Sequence, residues 1–271
     1  MKRIGITIGD VNGIGPEVAL KAVVRGRWTE DVRFAFIGPE DLVREHAAAK
    51  KIPVSRRIDF IEVGKKIKWH SGEIRAGASR LAVEAIRTGV EGCLSGELDA
   101  MVTAPICKEG LHKAGIHIPG HTEFLAELTM TKNYGMMLVG GGLRVMLVTR
   151  HIPISAVPAA LTRKTIRRHI ELTGQALNLL GLKNGRIGVC GLNPHAGDGG
   201  ILGREEIDLI NPAIRAARKK GIDVSDPIPA DTIFHEALKG KYDAVVAMSV
   251  SYTHLTLPTT CRVGRCRGGR G

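Results

Sequence analysis

Three histidines stand in turn-forming stretches of this chain. His121 lies in Pro119-Gly120-His121-Thr122-Glu123, His151 in Thr149-Arg150-His151-Ile152-Pro153, and His195 in Asn193-Pro194-His195-Ala196-Gly197-Asp198. Glycine and proline beside each ring turn the backbone, which aims the imidazole at a cleft rather than a packed core. Neutral imidazole is the commonest protein metal ligand, and its charge changes near neutral pH. A metal-bearing active site is the chemistry these residues support together. One histidine alone would favour a bland reading. Two more side chains extend the set. Lys108, in Thr103-Ala104-Pro105-Ile106-Cys107-Lys108-Glu109, is either a surface lysine or a group that contacts an anion and moves a proton. Asp231, in Pro227-Ile228-Pro229-Ala230-Asp231-Thr232, is either an N-cap carboxylate just before a helix or an acid close to the metal.

The elements that must position these groups alternate. Apolar runs predict strands at 4–8, 33–37, 58–63, 99–103, 145–148, 186–190 and 244–248. Helical periods fall between them at 16–24, 40–50, 77–88, 122–128, 165–180 and 207–220. Such alternation predicts an α/β fold with a substantially parallel sheet covered by helices. His151 and His195 each follow an apolar run, which puts them near carboxyl ends of strands, where open α/β sheets bind ligands. The order of the strands is not legible.

Composition excludes several classes. The chain has 271 residues, enough for one large domain or two small ones. No run approaches a membrane span, and the four-residue apolar stretch after Lys2-Arg3 is too short for a signal sequence. The net charge of +12 is dispersed apart from Arg262, Arg265, Arg267 and Arg270, with no interleaved aromatic residues. That pattern predicts a solvated surface and anionic substrates rather than nucleic acid. Cysteines at 93, 107, 190, 261 and 266 show no CxxC spacing, so free thiols in a reducing cytoplasm are expected.

The stretch Gly9-Asp10-Val11-Asn12-Gly13-Ile14-Gly15-Pro16-Glu17 joins a strand to a helix. Val18 stands where a dinucleotide fingerprint needs its third glycine, so no cofactor-binding residue is assigned from it. Taken in order, GDVNGIGPEV, TAPICKEGL, PGHTEFLAELT, VTRHIPI, GLNPHAGDGGILGREE and PIPADTIFHEALKGKYDAVVAM resemble the 4-hydroxythreonine-4-phosphate dehydrogenase family over residues 4–248. The resemblance implies the layered α/β fold of the isocitrate and isopropylmalate dehydrogenases, in two lobes with no boundary assigned. It implies NAD or NADP as cofactor, a divalent metal such as zinc, magnesium or cobalt, and a cytoplasmic homodimer with no nucleic-acid or membrane partner. The small phosphorylated substrate is oxidised and decarboxylated on the way to pyridoxal 5′-phosphate. Carried over by motif, His121 and Thr122 are substrate contacts and His151 and His195 are metal ligands. Lys108, for proton transfer, and Asp231, as a carboxylate near the metal, are the catalytic candidates that the residues themselves offer.

Two departures qualify that expectation. Cys107 stands where the family's TAPxNKE string has asparagine. The family's third metal histidine lies in a Tyr-His-Asp-Gln segment after Ala247-Met248, and here those places read Ser249, Val250, Ser251 and Tyr252. His254 has no matching neighbours and is not given that role. Residues 249–271 are therefore expected to be a disordered tail outside an incomplete dehydrogenase domain, and activity is expected to be impaired. Two alternative functions stay open: a dehydrogenase of erythronate or threonate 4-phosphate, and an inactive chain that only binds phosphate or metal.

Overall fold

The computed structural model describes residues 1–65 and 67–250. The chain divides into two compact units, Met1–Lys132 and the residues from Asn133 onward. The expected parallel sheet is thus two sheets, one in each unit.

The first unit runs β1 (Lys2–Thr7), α1 (Gly15–Arg25), β2 (Val32–Ile37), α2 (Glu40–Ala49), β3 (Ile58–Ile61), α3 (Ala76–Ser95), β4 (Ala100–Thr103), α4 (Lys108–Lys113) and α5 (His121–Leu128). Its strands lie in the order β3-β2-β1-β4, all neighbours parallel. Strands covered on both faces read as continuous apolar runs, and Phe34, Ala35, Phe36 and Ile37 of β2 are all buried. Helix α1 starts as its sequence dictates, with proline in the first turn and Glu17 at the positive end of the helix dipole. Its apolar face, Ala19, Leu20 and Val23, joins Ile6, Ile8, Phe34, Phe36, Leu42 and Val43 in one core.

The second unit runs β5 (Met136–Gly140), β6 (Leu143–Leu147), α6 (Val157–Ala160), α7 (Arg163–Leu179), β7 (Ile187–Cys190), α8 (Asn211–Arg218), β8 (Val224–Ile228), α9 (Ala230–Leu238) and β9 (Ala244–Ala247). The sheet order is β5-β6-β9-β7-β8, with β5 antiparallel to β6 and the other neighbours parallel. Helix α7 opens on a capping box in which Thr162 and Thr165 bond each other's backbone. It buries Ile166, Ile170 and Leu177 against Ile187, Val189 and Val246. A single π-helical turn, Glu206–Ile210, leads into α8.

Ser249 is buried, and Val250 packs against the apolar cluster around Leu147, Phe234 and Val245. The ordered fold therefore continues through the first two positions of the expected tail. Residues 251–271, with His254, Cys261, Cys266 and the four terminal arginines, lie outside the described residues. No helix among the described residues is long and apolar enough to cross a membrane.

Candidate active site

The candidate residues fall into two groups, one on each unit. In the first, β1 and β4 are parallel neighbours, so the Gly-rich turn after β1 and the Ala104-Pro105 stretch after β4 leave the same carboxyl edge. The Asp10 amide donates to the Pro105 carbonyl at 2.8 Å. A Cβ at Gly9, whose φ is +66°, would lie 2.5 Å from that carbonyl oxygen, so only glycine allows the approach. Asn12 ties the turn down from the other side: its side chain donates to the Glu73 carbonyl and accepts from the His70 amide.

His121 opens α5 and is half-buried. Burial lowers its pKa below the usual histidine value, opposed by a hydrogen bond to the Ala104 backbone. Its Nε2 is buried and has no hydrogen-bond partner. A neutral ring that donates one N–H to a carbonyl leaves its other nitrogen as an acceptor. His121 Nε2 is thus a buried acceptor without a partner among the described residues. Thr122 follows in the same first turn of α5, partly exposed. Lys108 is the first residue of α4 and is exposed. Cys107, the departure from the family string, is the N-cap of α4, and its Sγ accepts from the Gly110 amide at 3.4 Å.

In the second unit, β6, β9, β7 and β8 are successive parallel neighbours, so the segments that follow them leave one carboxyl edge. His151 comes four residues after β6, His195 five after β7, and Asp231 three after β8. Strands lie about 4.8 Å apart, so β6 and β7, which flank β9, are roughly 10 Å apart. The chain before His151 is tied to the end of β9, with the Thr149 hydroxyl donating to the Met248 carbonyl at 2.6 Å. Both imidazoles are exposed and both backbones are left-handed, with φ of +53° at His151 and +52° at His195. Asp231 lies inside the first turn of α9, whose N-cap is Pro229, and not at the N-cap itself. It is close enough to Cys190 to help hold up that thiol, which burial foremost, then Glu206 and Asp231, push up to about 12.

His195 begins a left-handed turn of five residues, His195, Ala196, Gly197, Asp198 and Gly199, all at positive φ. For the three non-glycine members this costs roughly 1–2 kcal/mol each. The surroundings must over-determine such a turn. Glu206 does so, a residue to which sequence reasoning gave no role. It is 3 % exposed, and its Oε1 accepts from the Leu192 and Asn193 amides, both at 2.7 Å. Its Oε2 accepts from Asn193 Nδ2 at 2.8 Å. The available signal was the Glu205-Glu206 pair just beyond the glycine run, but Arg204 and Asp208 beside it make the stretch read as an ordinary charged helix start.

Among the described residues no group of three or more His, Cys, Asp or Glu is gathered to hold a metal. The donors fit a divalent ion in part: two imidazoles at one sheet edge, the remaining positions falling to substrate oxygens, water or further donors.

Residues 14–249 match the model of the family described as pyridoxal phosphate biosynthetic protein PdxA. The chain belongs to this family. A 4-hydroxythreonine-4-phosphate dehydrogenase of Aromatoleum aromaticum is 40% identical over 90% of the chain and 77% of the relative. A D-threonate 4-phosphate dehydrogenase of Cupriavidus necator is 38% identical over 90% of the chain and 78% of the relative. The crystal structure of 4-hydroxythreonine-4-phosphate dehydrogenase from Klebsiella pneumoniae matches with a TM-score of 0.84 at 34% identity, over 94% of this chain and 83% of that one. The layered α/β fold is thus that of the PdxA family, as the motifs implied.

Proposed function

We propose that this chain is an NAD(P)-dependent dehydrogenase that oxidises 4-phosphohydroxy-L-threonine to 2-amino-3-oxo-4-phosphooxybutanoate, which loses carbon dioxide, in pyridoxal 5′-phosphate biosynthesis. Membership of the PdxA family supports the reaction class. The observation that supports the site reading is that His151, His195 and Asp231 follow β6, β7 and β8 out of one carboxyl edge.

In the reaction the C–H hydride of a secondary alcohol passes to the nicotinamide and the O–H proton passes to a base. His121, kept neutral by burial, accepts that hydroxyl's hydrogen bond through Nε2. Thr122 contacts the substrate beside it, and Lys108 assists proton transfer. His151 and His195 would hold a divalent metal, which would supply Lewis-acid polarisation of a substrate oxygen. Asp231 adds negative charge beside these ligands and favours a cation there. A substrate carrying phosphate and carboxylate suits a chain of net charge +12. The protein works as a homodimer in the cytoplasm, where thiols such as Cys93, Cys107 and Cys190 stay free.

A second reading replaces the substrate's amino group by a hydroxyl, because relatives of similar identity are named D-threonate 4-phosphate dehydrogenases. NADH formation on each substrate, with NAD and a divalent ion, separates the two. Higher kcat/KM on 4-phosphohydroxy-L-threonine is expected; higher kcat/KM on D-threonate 4-phosphate would transfer the assignment to the second reading.

A further inference from the structure

The run Gly191-Leu192-Asn193-Pro194-His195-Ala196-Gly197 follows β7 directly, and His195 stands in the short left-handed turn beyond it, whose local bonds include that of the Ala196 amide to the Asn193 carbonyl. Two further contacts anchor this turn. The Glu206 carboxylate takes the amides of Leu192 and Asn193, and the Asn193 side chain bridges Glu206 and Glu205. The two glycines that flank this clamp are required by it. A Cβ at Gly197 would lie 2.7 Å from Glu206 Oε2, and one at Gly203 would lie 2.3 Å from Asn193 Nδ2. Glu206 sits in the π-helical turn, a distortion frequent at functional sites, which here sets the carboxylate at the head of α8.

We infer that Glu206 is the positioning residue of the second unit's site: its buried carboxylate fixes the left-handed turn 195–199 and thereby the direction of the His195 imidazole. The inference rests on the reading of His195 as a metal ligand. Glu206 touches neither substrate nor metal in this role. It acts through the backbone of Leu192 and Asn193, and through the spacing that Gly197 preserves. Asn193 and Gly197 belong to the same device, which accounts for the residue types of the GLNPHAGDGGILGREE stretch around the histidine.

The test uses the full chain and Co²⁺ as probe, with wild type, E206Q, H151A and H195A. E206Q keeps the shape but presents an N–H₂ group to donors that need an acceptor. Its Co²⁺ Kd is expected to rise about 10- to 100-fold, the range typical when a group that orients a metal ligand is lost. The His195 imidazole cross-peak, identified by its absence in H195A, is expected to shift in the metal-free protein, a readout that simple destabilisation would not give. T173V is the control, since Thr173 is equally buried but bonds only within α7; it should lower Tm and leave Kd unchanged. If E206Q does not fold, G197A, which keeps the carboxylate but forces the clamp open, should give the same shift and weakened binding. Unchanged Kd and an unmoved His195 resonance in E206Q, or in G197A where E206Q does not fold, with H151A and H195A both weakened, overturn the role of Glu206. Unchanged Kd in H151A and H195A overturns the metal reading instead.

Discussion

Burial depresses the pKa of three histidines, His46, His121 and His169, so each is neutral in the folded chain where an exposed ring would begin to protonate. A depressed folded pKa means the unfolded chain binds more protons below about 6.5, so stability is full above that value and is lost as pH falls through the folded pKa. Urea midpoints should therefore drop as pH goes from 7.5 towards 5, and H46Q should flatten the slope. An equally steep slope in H46Q would exclude His46 as a source. The same sign governs His121 in its catalytic role. Removing its acceptor in H121A should cut kcat/KM by about 10² or more, with KM for NAD unchanged. Wild-type kcat/KM in H121A would remove His121 from the mechanism. Sequence alone pointed to all three turn histidines because glycine and proline mark turns directly. It did not single out Glu206, whose importance comes from burial and from bonds to residues 13 and 14 positions earlier.

At the level of elements, the alternation of strands and helices was legible because buried parallel strands read as apolar runs. The missed elements share a different signature. β8 contains Ser225, Asp226 and Pro227, a mixture that suits only an edge strand, and it is the edge of its sheet. β5 pairs antiparallel with β6 through Gly140, Gly141 and Gly142, whose composition reads as loop. α4 is only six residues long, and its cap is a cysteine thiol, a poor acceptor in place of asparagine. C107N should therefore raise stability by roughly 0.5–2 kcal/mol, the range for supplying a good N-cap, and leave the mean helicity of the chain almost unchanged. A lower Tm in C107N would mean that the thiol serves packing rather than capping. Asp231 fell two positions past the N-cap of α9 because Pro229 takes the cap and fixes the helix start.

On the scale of the whole molecule, the division at Lys132 and Asn133 was not readable, because Thr131-Lys132-Asn133-Tyr134 carries no proline, glycine or charge signal of a linker. Each unit has its own apolar cores. The homodimer proposed here predicts a light-scattering mass of twice the chain mass, and a folded monomer with full turnover would refute it. The proposed chemistry makes a sharper demand. Oxidation at the carbon next to that bearing the carboxylate yields a 3-oxo acid, so each NADH formed should be followed by one carbon dioxide. The most direct measurement is therefore NADH and carbon dioxide counted together from 4-phosphohydroxy-L-threonine, NAD and a divalent ion. A one-to-one ratio, lost in both H151A and H195A, is the result expected. No NADH from this substrate, or NADH without carbon dioxide, would contradict the account.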